Sequence, residues 1–220
     1  MILALETAGN TCSACIIDGN KILCEIYAHS GLKHSENLMP MVDDAINYAH
    51  IDKNELKFIA LSIGPGSFTG LRIGAAVAKG LAMALNLPII PIKTLDALAY
   101  NIHLPDTLTA PIMDARRGQV YASIFLDGKK IENDLAIEFE IFIKNLHRFN
   151  KKVLFLGDAT SIYKDIILEN GFLIANESLL FQRASAVAAL ASKNIDLAVP
   201  VDRLEIEYIR ESSAQKLKNE

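Results

Sequence analysis

A short signature occurs twice in this 220-residue chain, and no other feature constrains the fold as strongly. Asp18-Gly19-Asn20-Lys21-Ile22 returns 109 residues later as Asp127-Gly128-Lys129-Lys130-Ile131. The surroundings repeat as well. In the first copy the apolar run at 2–8 carries Glu6, a turn follows at Gly9-Asn10, and 11–18 alternates as a strand that Asp-Gly closes into a hairpin. In the second, Ala110–Asp114 ends in an acid, Arg116–Gly118 is the turn, and QVYASIFL is the strand. Each copy then reaches a lysine and a buried strand, KFIALSIG at 57–64 and KVLFLGDA at 152–159, followed by a helix. The economical explanation is a duplicated β-β-β-α-β-α unit, an α/β protein with two similar subdomains of mixed sheet flanked by helices. With 51% hydrophobic residues, the chain is large enough for both halves to bury a core. His103-Leu104-Pro105-Asp106 breaks the pattern, which divides the chain into 1–102, 103–204 and a charged tail, 205–220.

Charge and cysteine usage exclude some classes. The formal net charge is −4, and the basic pairs Arg116–Arg117, Lys129–Lys130 and Lys151–Lys152 read as solvated turns and strand ends. A chain that gripped RNA through phosphates would show a basic stripe, so RNA contact is expected to be indirect. No apolar run is expected to reach the ~18–20 residues of a bilayer span, and the N-terminus lacks a signal peptide's basic start. A cytoplasmic protein is the expectation. Cys12 and Cys15 have redox spacing but lie three apart on a strand, where side chains face opposite sides; with Cys24 they read as buried small hydrophobes.

The glycine loop Gly64-Pro65-Gly66-Ser67-Phe68-Thr69-Gly70 joins a buried strand to a helix spanning about 68–86. It lacks the lysine of a P-loop and the third glycine of a dinucleotide fingerprint; it reads as a sharp turn with Ser67 or Thr69 as N-cap, with a ligand contact as the alternative. Within the helix, Gly70, Gly74, Ala78 and Ala82 form a smooth ridge at four-residue spacing. Interior glycines are unfavourable by about 1 kcal/mol each, which close approach of another backbone can offset. That neighbour is either the chain's own sheet or a helix from another subunit. A companion stripe of Leu38, Met41, Val42 and Ala45 lies on a helix over 36–49, with Pro40 expected near its first turn. Shorter helices are expected at 94–102 and 184–194, and a strand at 88–92.

No complete catalytic constellation is visible. None of the five histidines lies four residues from another, and the serine of the glycine loop lacks the second glycine of a nucleophile elbow. Glu6 and Asp114, ending the first strand of each repeat, are the best-placed acids. Across a cleft they can hold hydrated magnesium and a nucleotide, a vestigial site, because each following turn has only one glycine.

The segments LETAGNTCSACI, KHSENLMPMVDDAI, SIGPGSFTGLRIGAAVAKGLAMAL and PIMDARRGQVYASIF, in that order, resemble the bacterial TsaB (YeaZ) family. The resemblance is good over residues 1–126. It implies an actin-like, sugar-kinase, Hsp70-type (ASKHA) fold, in agreement with the duplication. It also implies a non-catalytic subunit that binds and supports TsaD while a threonylcarbamoyl group is transferred to the adenosine beside the anticodon of tRNA, forming t6A. TsaC supplies the group as threonylcarbamoyl-adenylate, the ATPase TsaE is a further partner, and the lone chain forms a homodimer. No membrane partner, metal or cofactor is implied for the isolated chain, with ATP or ADP left to the complex. His34 stands alone in HSENLMP, where the catalytic relative has a metal-binding histidine pair. The docking surface implied is similar in place to Leu38, Met41, Val42 and Ala45 with the ridge of Gly70, Gly74, Ala78 and Ala82. The alternative is a stand-alone enzyme of the same fold, metallopeptidase-like or a small-molecule ATPase, working around His34 or at Glu6 and Asp114.

Overall fold

Two five-stranded sheets carry the duplication. The structure, a computed structural model, describes residues 1–29, 31 and 33–209. In the first half β1 (Ile2–Glu6), β2 (Cys12–Asp18) and β3 (Lys21–Ala28) form an antiparallel meander. Helix α1 (His34–Ala49) leads to β4 (Phe58–Ser62), parallel to β1, and α2 (Phe68–Leu85) leads to β5 (Ile89–Ile92), parallel to β4. Helix α3 (Thr94–Tyr100) follows. The second half repeats the plan with β6 (Thr107–Arg116), β7 (Gln119–Leu126), β8 (Lys129–Glu138), α4 (Phe139–Leu146), β9 (Lys152–Leu156), α5 (Lys164–Glu169) and β10 (Leu173–Ile174). The sheet orders are β3-β2-β1-β4-β5 and β10-β9-β6-β7-β8, one pattern read in opposite directions. Helices α6 (Glu177–Leu180) and α7 (Ala184–Lys193) complete the chain. The second Asp-Gly signature forms its hairpin with Asp127 and Gly128 both at positive φ, the conformation that favours a tight turn matching strand twist.

Each sheet is apolar on both faces, and each half supplies α1 and α2, or α4 and α5, for one face only. In the first half Leu38, Val42 and Ala45 of α1 and Ala75, Ala78 and Ala82 of α2 pack on Leu3, Leu5, Ile59 and Leu61. In the second, Phe139, Phe142 and Leu146 of α4 close on Phe155 and Val120. Full burial of such a side chain contributes about 1.5–3 kcal/mol. The remaining faces are covered by exchange. Helix α3 follows the first half but sets Leu95 and Leu98 against Met113, Leu154 and Leu156 of the second sheet. Helix α7 follows the second half but sets Val187 and four alanines on Ile2, Ala4, Cys15 and Ile90 of the first. Cys12 and Cys15 thus face opposite cores of one sheet.

This exchange corrects the division of the chain. Residues 103–204 do not stay together, because α7 and the segment after it return to the first half. Val199 bridges to Ile89, Leu204 enters the first core, and Glu207 N donates to Ile63 O at 2.8 Å. The expected tail therefore begins later than 205: its first residues are packed, and 210–220 lie outside the described residues. A second correction concerns α2, which by length and composition alone is apolar enough to cross a membrane. Here it is one layer of the fold, its inner face seated on β4 and β1. Helix α1 begins two residues earlier than expected, at His34, which places Pro40 inside the helix.

Candidate functional site

The ridge that the sequence offers for docking faces inward. Gly70, Gly74, Ala78 and Ala82 are all buried, as are Leu38, Met41, Val42 and Ala45 on α1, so none of them presents a surface to a partner. The backbone that approaches the ridge is the chain's own. A Cβ on Gly70 would overlap Thr7 O, one on Gly74 would overlap Thr7 Oγ1, and one on Gly66 would lie 2.9 Å from Ala8 Cβ. Thr7 Oγ1 donates to Gly70 O at 2.9 Å, and Ser67 N donates to Ala8 O at 2.7 Å. Ser67 is the N-cap, its hydroxyl accepting from Gly70 N. Glycine is needed along this edge because the turn after β1 lies directly against the helix.

The opposite face of α2 is open. Ala76, Gly80, Met83 and Ala84 are exposed, with Ile73 and Val77 half-buried beside them. These positions lie within one stripe at helical spacing. Met83 is 72% exposed, and a Cβ on Gly80 would meet nothing within 4 Å. A mid-helix glycine with open space around it has no packing reason among the described residues, unlike Gly74. At the start of this face Phe68 lies beneath the Arg72 guanidinium, 3.7 Å from the ring centroid, and against Tyr208 at 5.2 Å. Sequence reading missed this face because both sides of α2 are apolar with small residues four apart. The signal for it was Ala76-x-x-x-Gly80-x-x-x-Ala84, a second small stripe parallel to the first.

The two acids differ in setting. Glu6 is completely buried; its Oε1 accepts from Ala8 N at 2.6 Å and its Oε2 from the Ser62 hydroxyl. Burial pushes its carboxyl up to about 7, with the hydrogen bonds from the Ser62 hydroxyl and the Ala8 and Thr7 backbone working in the opposite sense. Asp114 is exposed and accepts from Arg116 N at 2.7 Å, bracing a turn in which Arg116, Arg117 and Gly118 all have positive φ. Its own N–H donates to Asp158, a neighbour the sequence did not single out, whose carboxyl burial raises to about 6. Among the described residues the hydrogen-bond partners of Glu6 lie within the first half, and those of Asp114 within the second. His34 Nε2 lies 3.1 Å from Gly9 O, so it carries the proton in that contact. His34 also lines a cavity of about 300 Å³ between the starts of α1 and α2, with Lys33, Ser35, Ser67, Thr69, Gly70 and Ile73. Among the described residues no group of three or more His, Cys, Asp or Glu could hold a metal ion.

Two mixed sheets of one topology, with exchanged helices and an acid at the end of the first strand of each, define a duplicated ASKHA-type α/β protein. Comparison with solved structures agrees. The chain superposes on YeaZ from Pseudomonas aeruginosa with a TM-score of 0.73 at 22% identity, covering 94% of this chain and 98% of that one. Component A of the (R)-2-hydroxyglutaryl-CoA dehydratase of Acidaminococcus fermentans gives 0.54 at 11% identity, covering 89% and 98%. Residues 28–202 match the profile of the family described as TsaD, tRNA N6-adenosine threonylcarbamoyltransferase. Among curated sequences, the tRNA threonylcarbamoyladenosine biosynthesis protein TsaB of Bacillus subtilis is 32% identical, covering 97% of this chain and 96% of its own length. TsaB of Escherichia coli is 28% identical, covering 98% and 96%. The chain belongs to the TsaB (YeaZ) family.

Proposed function

We propose that this chain serves t6A formation as a non-catalytic subunit, docking through the outer face of α2 onto a TsaD-type transferase. TsaD then transfers the threonylcarbamoyl group, delivered as threonylcarbamoyl-adenylate by TsaC, to the adenosine beside the anticodon, with a TsaE-type ATPase joining the assembly. The protein works in the cytoplasm and touches tRNA only indirectly. The observation that carries this reading is the open face of Ile73, Ala76, Val77, Gly80, Met83 and Ala84. An apolar stripe with a glycine at its centre allows close approach of a second helix. Without its partner the same face pairs with a second copy of the chain.

Light scattering on the purified chain, alone and mixed with its organism's TsaD homologue, tests the reading. Gly80→Leu adds bulk into open space, so the free chain keeps its fold while the docking face loses its groove. A one-to-one complex that disappears in Gly80→Leu supports the proposal. A complex of equal strength in that variant, or none with the wild type, overturns it. The second reading, an independent ATPase or metallopeptidase, would then gain ground.

A further inference from the structure

A nucleotide held in the cleft of this fold would require the turn after β1, Thr7–Thr11, to aim free backbone N–H groups at its phosphates. It would also require an acid able to reach hydrated magnesium. The residues present do not fit. Glu6 is enclosed and already accepts from Ser62 and Ala8, so the Ala8 N–H is used internally. The carbonyls of Thr7 and Ala8 are pressed against the start of α2, where Ser67 N donates to Ala8 O. Gly9 O faces His34. Over Gly9 itself lies Gln182, from the crossover between α6 and α7. A Cβ on Gly9 would stand 2.6 Å from Gln182 Oε1 and 2.8 Å from its Nε2. The crossover is pinned there, because Thr11 Oγ1 donates to Gln182 O at 2.9 Å and Ala184 N donates to Ser13 Oγ at 2.9 Å.

Gln182 is fully buried, yet neither amide atom has a hydrogen-bond partner among the described residues. A buried amide without partners is unfavourable, since desolvation is not repaid by new bonds. The side chain fills the space over the turn without adding a hydrogen bond to any described residue.

We infer that Gln182 plugs the turn after β1, and that this turn is a mechanical seat for α2 instead of a phosphate cradle, so the chain brings no nucleotide site of its own to an assembly. Nucleotide in the complex is then held by partners. The same contacts that shut the cradle fix the angle of α2, which links the closed cleft to the geometry of its outer face.

Calorimetric titration of the purified full chain with MgADP and MgATP is one arm of the test, and the thermal melting of Gln182→Met is the other. Methionine has similar length and bulk without the amide. The expected results are no saturable heat up to millimolar nucleotide, and a melting temperature about 2–4 °C above the wild type. Saturable binding by the wild type would overturn the inference. So would a Gln182→Met variant that melts at or below the wild type, because the amide would then be making a favourable contact.

Discussion

Alanine substitutions at three glycines of α2 separate its inner face from its outer one. At Gly80 a Cβ meets nothing within 4 Å, so Gly80→Ala gains the helix-propensity difference of about 1 kcal/mol without opposition. At Gly74 the same gain is opposed. The new Cβ overlaps the Thr7 hydroxyl and lies 3.0 Å from Leu61 Cδ1. Thr7 must then swing away from Gly70 O, losing a buried hydrogen bond of about 1 kcal/mol, and overpacking adds about 1–3 kcal/mol. The net is a loss of about 1–3 kcal/mol. At Gly70 the obstacle is the Thr7 carbonyl, which is backbone and cannot rotate aside, so the loss is larger again. For a chain of this size about 1 kcal/mol corresponds to roughly 2–4 °C in Tm. Thermal melts and urea titrations of the three variants should therefore rank Gly80→Ala above wild type, then Gly74→Ala, then Gly70→Ala. Gly74→Ala melting above wild type would refute the seating of α2 on Thr7, and a destabilised Gly80→Ala would refute the openness of the outer face.

Two further outcomes follow from buried groups. Burial raises the Glu6 carboxyl to about 7 in the fold from 4.5 when unperturbed, so between these values the folded state holds the extra proton and stability falls as pH rises. The penalty is absent below the unfolded value and complete above the folded one, reaching about 3 kcal/mol at roughly 1.4 kcal/mol per unit. Glu6→Gln keeps an acceptor for Ala8 N and should raise stability at pH 8 but not at pH 4, measured by urea unfolding; Asp158, shifted the same way to about 6, leaves a smaller slope behind. Iodoacetamide should label Cys24 alone in the native protein, detected by peptide mass. Cys12 and Cys15 are buried with burial pushing both thiols up, Cys12 to about 11, and should react only on unfolding.

The duplication was legible because local rules write it. Asp-Gly hairpins, alternation along 11–18 and 119–126, and an acid before each first turn are short-range signals, and both halves carry them. An N-cap at Ser67 or Thr69 was legible for the same reason, and the structure takes Ser67. The site was less so. Leu38, Met41, Val42 and Ala45 form a stripe that a core and an interface would share, and periodicity cannot say which. On α2 two small stripes run in parallel, and the one with two glycines drew attention although those glycines serve the chain's own turn. Gln182 carries no motif at all; it matters because of what a distant crossover sets beside Gly9.

Residue order alone determined the repeated unit, most of its strands, the helices α1, α2, α3 and α7, and the opposite placement of Cys12 and Cys15, since each depends on contacts between near neighbours in the chain. Only the tertiary structure decided that α3 and α7 cover each other's sheets, that the segment through Glu207 returns to the first half, and which face of α2 is left open. Those outcomes depend on which apolar faces remain uncovered once both sheets exist. That balance is struck between residues of different elements and different halves, where the sequence carries no local mark of it.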